Sequence, residues 1–323
     1  MIIVTGGAGF IGSMLLGELN EQGYSDILVV DHLGENEKWK NLRGRHFYDY
    51  LNKDEFLSLI YHEPDSYKGR IEAVFHLGAC TSTTEKNADY LMGNNYSYSI
   101  GLAEWTMDQG IPFIYASSAA TYGDGAHGFS DSNDSFNKLL PLNMYGFSKH
   151  LFDLWVRGKL LLPDHSPIAG FKFFNVFGPN EYHKEDMASV VYKAWNQIND
   201  SGSLSLFKSA RQDYGDGEQK RDFVYVKDVC RVLIWAWKNK IKSDIYNLGS
   251  GKARSWNELA ASVFSAMGKE QKIKYIDMPE NLKGKYQYFT EADISKLRKA
   301  GYTEEFTSLE DAVTDYVKNY LQQ

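Results

Sequence analysis

Tyr145 and Lys149 stand four residues apart, in Tyr145-Gly146-Phe147-Ser148-Lys149. On a helix that spacing puts both side chains on one face. A free tyrosine titrates at about 10, too high for proton exchange near neutrality. An ammonium held beside it favours the phenolate and lowers that value. Such a phenol can take a proton from a hydroxyl, or return it, while hydride moves to or from a nicotinamide. The pair alone would equally describe a packed tyrosine and a surface lysine. Upstream, Ser117-Ser118 closes an apolar run, Phe113 to Ala116. At the tip of a parallel strand, where ligands bind, the Ser118 hydroxyl can steady a reacting oxygen.

Gly6, Gly9 and Gly12 form a G-x-x-G-x-x-G loop directly after Ile2-Ile3-Val4. Glycines there allow a tight turn, close approach of the backbone to a pyrophosphate, and close packing of the next helix on the sheet. The helix N-terminus then offers free N–H groups and partial positive charge to the phosphates. Asp31 ends the next apolar run and suits a ribose hydroxyl, the NAD pattern. Lys38 and Lys40 follow and suit a 2′-phosphate, the NADP pattern, so both cofactors stay open on these residues.

The elements that would position these groups alternate. Ile2 to Val4 reads as a strand, Phe10 to Gln22 as a helix, and Ile27 to Val30 as a second strand. Lys53 to Tyr61 reads as a helix, Ala73 to Leu77 as a strand, Asp89 to Gln109 as a long helix and Phe113 to Ala116 as a strand. Tyr145 to Leu161 reads as a helix and Ile168 to Phe174 as a strand. This rhythm predicts an α/β fold of Rossmann type, a doubly wound parallel sheet with helices on both faces. Beyond Asn175 the pattern loosens. Phe207 to Arg221 reads as a long surface loop, and Asp222 to Asn247 returns to strand and helix patterning. From Ser255 a small mixed lobe follows, closed by a helix near Leu309 to Leu321. The expected division is residues 1–174 plus about 222–249 for the dinucleotide, and about 175–221 plus 250–323 as an interleaved substrate lobe.

With 323 residues, 43% hydrophobic and 24% charged, the chain has the composition of a soluble globular protein. A net charge of -7 and no basic block argue against nucleic-acid or acidic-membrane partners. Cys80 and Cys230 form no C-x-x-C pair, so neither a metal site nor a disulfide framework is expected. No leader and no membrane-length apolar run are evident, which makes a cytoplasmic location the expectation.

The stretches TGGAGFIGS (Thr5–Ser13), SSAATYG (Ser117–Gly123) and YGFSK (Tyr145–Lys149) resemble the extended short-chain dehydrogenases. Further stretches are similar to one family among them, the ADP-glycero-manno-heptose 6-epimerases. They are HLGACTSTTE (His76–Glu85), NNY (Asn94–Tyr96), FNVFGP (Phe174–Pro179), HKEDMAS (His183–Ser189), KRDFVYV (Lys220–Val226) and LKGKYQ (Leu282–Gln287). The resemblance runs over nearly the whole chain. It implies that tightly held NADP oxidises C6″ of a nucleotide-linked heptose and returns hydride to the other face. It also implies a product destined for the inner core of lipopolysaccharide, and a homo-oligomer, a ring of about five subunits.

Residue by residue, the resemblance makes Tyr145 one acid/base, tuned by Lys149, with Ser118 on the reacting oxygen and Lys184 as the second acid/base. Read from the residues alone, Lys184 is a lysine in a polar loop and would be exposed. The cofactor would be lined by Gly6, Gly9, Gly12, Phe10 and Ile11, then by Asp31, His32, Lys38 and Lys53. Leu77, Gly78, Ala79, Cys80, Thr81 and Asn94 would complete that lining, with Lys149, Val176 and Lys184 also touching it. Around the ADP-sugar would lie Ser118, Asn175, Asp186 and Lys193, then Phe207, Lys208, Ser209 and Ala210. Arg221 and Tyr286 would complete that set, Arg221 as a planar fork for a diphosphate. The chain departs from the family pattern at His32, where asparagine is typical, at Asp186, where a small polar residue is usual, and over Arg211–Gln219, an insertion. A 4-epimerase or a cofactor-sensing protein without chemistry are the competing readings. A 4,6-dehydratase needs a carboxyl pair beside the active hydroxyl, where this chain has Ala119 and Ala120.

Overall fold

The computed structural model describes residues 1–132, 134–162, 166–280 and 286–322. Residues 282–285 of the LKGKYQ stretch therefore lie outside the described residues. In chain order the first half runs β1 (Ile2–Thr5), α1 (Phe10–Glu21), β2 (Ile27–Asp31), β3 (Asp49–Asn52), α2 (Lys53–His62) and β4 (Ala73–His76). Then come α3 (Ala88–Leu91), α4 (Tyr98–Asp108), β5 (Phe113–Ser118), α5 (Met144–Leu160) and β6 (Ile168–Phe173).

β1, β2 and β4 are buried at every residue, as strands covered on both faces must be. The seven-stranded sheet has the order β3-β2-β1-β4-β5-β6, followed by a later strand, Asp244–Leu248, beside β6. All its pairs are parallel. Strand order reverses between β1 and β4, so the crevice beyond their carboxyl ends is where a doubly wound sheet binds ligands. β3 went unread in the sequence, because Asp49–Asn52 is a polar edge strand without an apolar run.

Two readings needed correction in detail. The expected single helix over Asp89 to Gln109 is α3 and α4 joined by one π-turn, Met92–Ser97. The expected closing helix stops at Tyr316 and continues as a π-turn, Val317–Leu321.

The second half begins with β7 (Asn175–Phe177), α6 (Val190–Ser201), β8 (Leu204–Phe207), β9 (Lys220–Tyr225), α7 (Val226–Lys238) and β10 (Asp244–Leu248). It ends with β11 (Ala253–Ser255), α8 (Trp256–Ala266), β12 (Ile273–Ile276), α9 (Ser295–Lys299) and α10 (Leu309–Tyr316). β10 is the seventh strand of the main sheet, and α7 packs on α1. β9 instead forms a second sheet, parallel to β7 and antiparallel to β11, while β12 pairs with β8. Local signals mark the helix starts here. Ser189 caps α6, and Ser255 with Glu258 forms a reciprocal capping box on α8. Among the described residues, no helix is long and apolar enough to cross a membrane, and no cluster of metal-ligating side chains occurs.

Candidate active site

The glycine loop sits at the switch point. Gly6 has φ +68, and a Cβ there would lie 2.6 Å from the backbone nitrogen of Gly78 at the end of β4. A Cβ on Gly12 would lie 2.1 Å from the Gly6 carbonyl oxygen, so only glycine lets α1 start this close to β1. Gly9, the residue before α1, provides no side-chain cap, which leaves first-turn N–H groups facing the crevice. This close-approach cradle, opening into a cleft of about 350 Å³, fits a dinucleotide pyrophosphate. Gly6, Gly9, Gly12, Phe10, Ile11, Asp31, Lys38 and Leu77–Thr81 all line that cleft. His32, Lys53 and Asn94 line an adjoining recess with Asp31.

Asp31 is buried and fully engaged. Its Oδ2 accepts from the Ala8 amide at 2.8 Å, and its Oδ1 accepts from the His32 amide at 2.7 Å and from Lys38 Nζ at 2.8 Å. The carboxylate thus ties the glycine loop to the turn that carries Lys38.

A second cavity, about 330 Å³, continues from the cofactor cleft. Ser118, Tyr145, Lys149, Asn175, Val176 and Lys184 line it, together with Phe10, Ile11 and Trp256. Residues from β5, α5, β7 and the turn Tyr182–Met187 therefore meet on one space. Asn143 caps α5, its side chain accepting from the Gly146 amide at 2.8 Å, and so sets the start of the Tyr145 helix.

The electrostatics differ from the expectation at Tyr145. Burial pushes its phenol up, and the Ser118 hydroxyl only partly offsets that. Lys149, four residues on, lines the same cavity. Its ammonium donates to the Ala116 carbonyl at 2.9 Å, and burial brings Lys149 down to about 8 against the opposing pull of Asp153.

Lys184 corrects the residue-level reading. It is not exposed: burial lowers its pKa, with Glu181 opposing, and its Nζ lies 5.4 Å from the centre of the Phe10 ring. Glu181 shapes this turn. Its carboxylate accepts from Gly178 N at 3.3 Å, Ser189 N at 2.5 Å and Ser189 Oγ at 2.7 Å, pinning both ends of the turn.

Behind the cavity lies a buried polar cluster. Asp153 accepts from Tyr115 OH at 2.9 Å, Ser117 Oγ at 2.7 Å and Lys172 Nζ at 2.5 Å, and Lys172 also donates to Thr121 Oγ1 at 2.7 Å. Both Asp153 and Lys172 are fully buried.

The remaining residues expected around a nucleotide-sugar do not line this cavity. Lys193 Nζ donates to the Asp186 carbonyl at 2.6 Å on the surface of the turn. Phe207 ends β8, Lys208 pairs with Asp277, the Ser209 amide donates to Asp216, and the Ala210 amide donates to Tyr288 OH. Arg221 is no open fork: its guanidinium donates to the Lys220 and Gln287 carbonyls. It lies 5.7 Å from the Trp256 ring centre and 5.1 Å from that of Tyr286. Trp256 Nε1 donates to Tyr286 OH at 2.8 Å, so this stack joins the cavity wall to the expected nucleotide residues.

Several contributors went unread in the sequence. Trp256 carried only the signal of a helix start. Asn95, fully buried in the π-turn, accepts from Cys80 N at 2.8 Å and donates to Cys80 O at 3.0 Å and Ser148 Oγ at 3.1 Å. It thereby holds the cofactor loop to α5, and its position inside a quoted motif was the available clue.

Residues 2–249 match the model of the NAD dependent epimerase/dehydratase family. A protein of Nitratidesulfovibrio vulgaris named ADP-L-glycero-D-manno-heptose-6-epimerase is 54% identical, over 99% of this chain and 98% of that protein. A Fusobacterium nucleatum protein of the same name is 49% identical over 99% and 98%. Among solved structures, the Helicobacter pylori ADP-L-glycero-D-manno-heptose-6-epimerase superposes with a TM-score of 0.80 at 28% identity, covering 100% of this chain and 96% of that one. The UDP-N-acetylglucosamine 4-epimerase of Methanobrevibacter ruminantium M1 gives 0.81 at 25%, covering 100% and 98%. The chain belongs to the NAD dependent epimerase/dehydratase family, alongside the ADP-L-glycero-D-manno-heptose-6-epimerases.

Proposed function

We propose that this chain interconverts ADP-D-glycero- and ADP-L-glycero-D-manno-heptose by inverting C6″. The observation that carries the reading is the meeting of Tyr145 and Lys184, from two unrelated elements, on one cavity beside the cofactor cleft. Full-length relatives with that name support the choice of sugar. A bound NADP supplies hydride acceptance and return at the reacting carbon.

Inversion without net redox change needs a proton removed from the hydroxyl and one given back after the sugar has turned. Tyr145, raised by burial, rests protonated and serves as the acid. Lys184, lowered by burial, stands nearer its neutral form and serves as the base. Ser118, a partner of the Tyr145 phenol, orients the reacting oxygen, and Lys149 holds the nicotinamide ribose. Lys38, paired with Asp31 at the ribose end, supports NADP over NAD through its charge toward a 2′-phosphate. Trp256, Arg221 and Tyr286 form the wall on which the ADP end is gripped, with Asn175 nearer the sugar.

The reading carries a division of labour, with residues 1–174 plus about 222–249 for the cofactor and about 175–221 plus 250–323 for the sugar, except that β9 pairs in the second sheet and sides with the sugar. It also carries a cytoplasmic homo-oligomer serving lipopolysaccharide core synthesis. Exposed Leu140, Leu161 and Leu162 are apolar groups that subunit contact would cover. The test is an NMR assay of purified protein with ADP-D-glycero-D-manno-heptose and no added cofactor. Inversion at C6″ supports the reading. Failure even with NADP or NAD supplied overturns it and favours a 4-epimerase acting on another nucleotide sugar.

A further inference from the structure

The cofactor cleft has a second wall that no role above explains. Opposite the glycine loop stands His183, on the turn that also carries Lys184. Its ring is fixed from one side. Asn41 Nδ2 lies 3.3 Å from His183 Nδ1, 3.1 Å from the Ala8 carbonyl and 3.1 Å from the Asn180 carbonyl. Asn41 therefore clips the His183 turn to the glycine loop itself. Asn180 Nδ2 donates to Ser13 Oγ at 2.9 Å and fastens the same turn to α1. The Asn41 amide group holds two protons, which the Ala8 and Asn180 carbonyls suffice to take, so its contact with Nδ1 places the His183 ring and does not select its tautomer.

Burial, then Lys184 and Lys38, bring the pKa of His183 down to about 4. The opposing groups are Asp31, whose oxygens are already engaged by Ala8, His32 and Lys38, and the Asn180 carbonyl, and together they lose to burial. Among the described residues Lys184 Nζ has no ion-pair partner, and Glu181 is committed to Ser189 and Gly178. Lys184 and the His183 imidazole thus border a cleft whose other wall is an uncapped helix start. An anion between the walls would answer both.

We propose that His183 is a pyrophosphate-binding residue of the cofactor cleft, donating a ring N–H across from the glycine loop, with Asn41 as the residue that positions its ring. The inference rests on the dinucleotide reading of that cleft. It assigns His183 to the pyrophosphate, which NAD and NADP share, and not to the 2′-phosphate beside Lys38. Because Lys184 is the next residue, seating the pyrophosphate on His183 also sets the turn that brings Lys184 to the catalytic cavity.

The experiment is a direct binding titration of the full chain, stripped of cofactor, with NADP and separately with NAD. His183→Ala is expected to weaken both by a similar factor, about tenfold, the scale of one hydrogen bond to a charged group. Asn41→Ala is expected to weaken both by less. The ring-nitrogen NMR shifts of His183 should move when either cofactor is added to the unmodified chain, and by less in that variant, which a merely structural residue would not cause. Unchanged affinity for both cofactors in His183→Ala overturns the proposal, and so does a loss confined to NADP. If the unmodified chain binds neither cofactor, the dinucleotide reading itself falls and takes the proposal with it.

Discussion

Tyr145 and Lys184 are pushed by burial in opposite chemical senses, the phenol toward keeping its proton and the ammonium toward losing it. That asymmetry is what two-sided proton exchange needs, and it makes each residue testable. Tyr145→Phe removes the hydroxyl and leaves the ring, so cofactor binding should persist while turnover falls by about 10²–10⁴-fold, the scale of general acid–base catalysis. Single-turnover NMR of the heptose checks this, and near-normal turnover would remove Tyr145 from the chemistry. In the proposed role Lys184 acts as a base only when neutral. kcat/KM should therefore rise with pH as Lys184 loses its proton, along a limb below the ordinary lysine value. Lys184→Met should lower the rate by a similar factor and abolish that limb, with an unchanged circular dichroism spectrum. A retained limb would assign it to another group, Lys149 first.

At the scale of elements, β5, β6 and α5 are joined behind the cavity by Asp153 and Lys172, a fully buried ion pair. β5 carries Ser118 and α5 carries Tyr145 and Lys149, so Asp153, which also accepts from Tyr115 and Ser117 of β5, registers the two elements that hold the proposed catalytic groups. Removing one partner strands a buried charge at a cost of about 3–5 kcal/mol, whereas replacing both with apolar groups is far milder. Lys172→Met should thus lower the urea midpoint strongly, and adding Asp153→Leu should recover much of the loss. If the double variant were as unstable as the single, packing and not charge would be the cause. The π-turn between α3 and α4 works similarly: it faces Asn95 inward, where the amide satisfies both backbone groups of Cys80. A regular α-helix over the same residues would present a different face there.

At the scale of the whole molecule, the reversal of strand order between β1 and β4 creates the crevice, and the second half of the chain closes it. The chain leaves the main sheet after β6, builds the wall with Lys184 and Arg221, returns through α7 and β10, and then adds Trp256 at the start of α8. The site is thus made from both halves, and a ligand lying across them should stabilise the fold. At 100 times its Kd, NADP should add about 2.7 kcal/mol to the unfolding free energy, from mass action alone. Thermal unfolding with matched concentrations of NADP and NAD measures it. A larger shift with NADP would assign Lys38 to the 2′-phosphate, and equal shifts would deny it that role.

What the sequence determined by itself is whatever depends on neighbours along the chain. The buried runs of β1, β2 and β4, the glycines that only a close approach permits, the helical spacing of Tyr145 and Lys149, and Ser118 at a strand tip are all local. They were enough to predict the doubly wound sheet and the dinucleotide cleft. The edge strand β3 and the π-turn escaped because neither alters the hydrophobic period. What tertiary structure alone decided is burial and charge at residues from distant segments. Lys184 looks like a surface lysine until Glu181 pins its turn and Phe10 comes beneath it. Arg221 looks like an open fork until the Lys220 and Gln287 carbonyls occupy its N–H groups. Tyr145 looks tuned downward by Lys149 until the cavity closes around it. Desolvation depends on everything packed about a group, and that packing exists only after the crossovers have brought the two halves of the chain together.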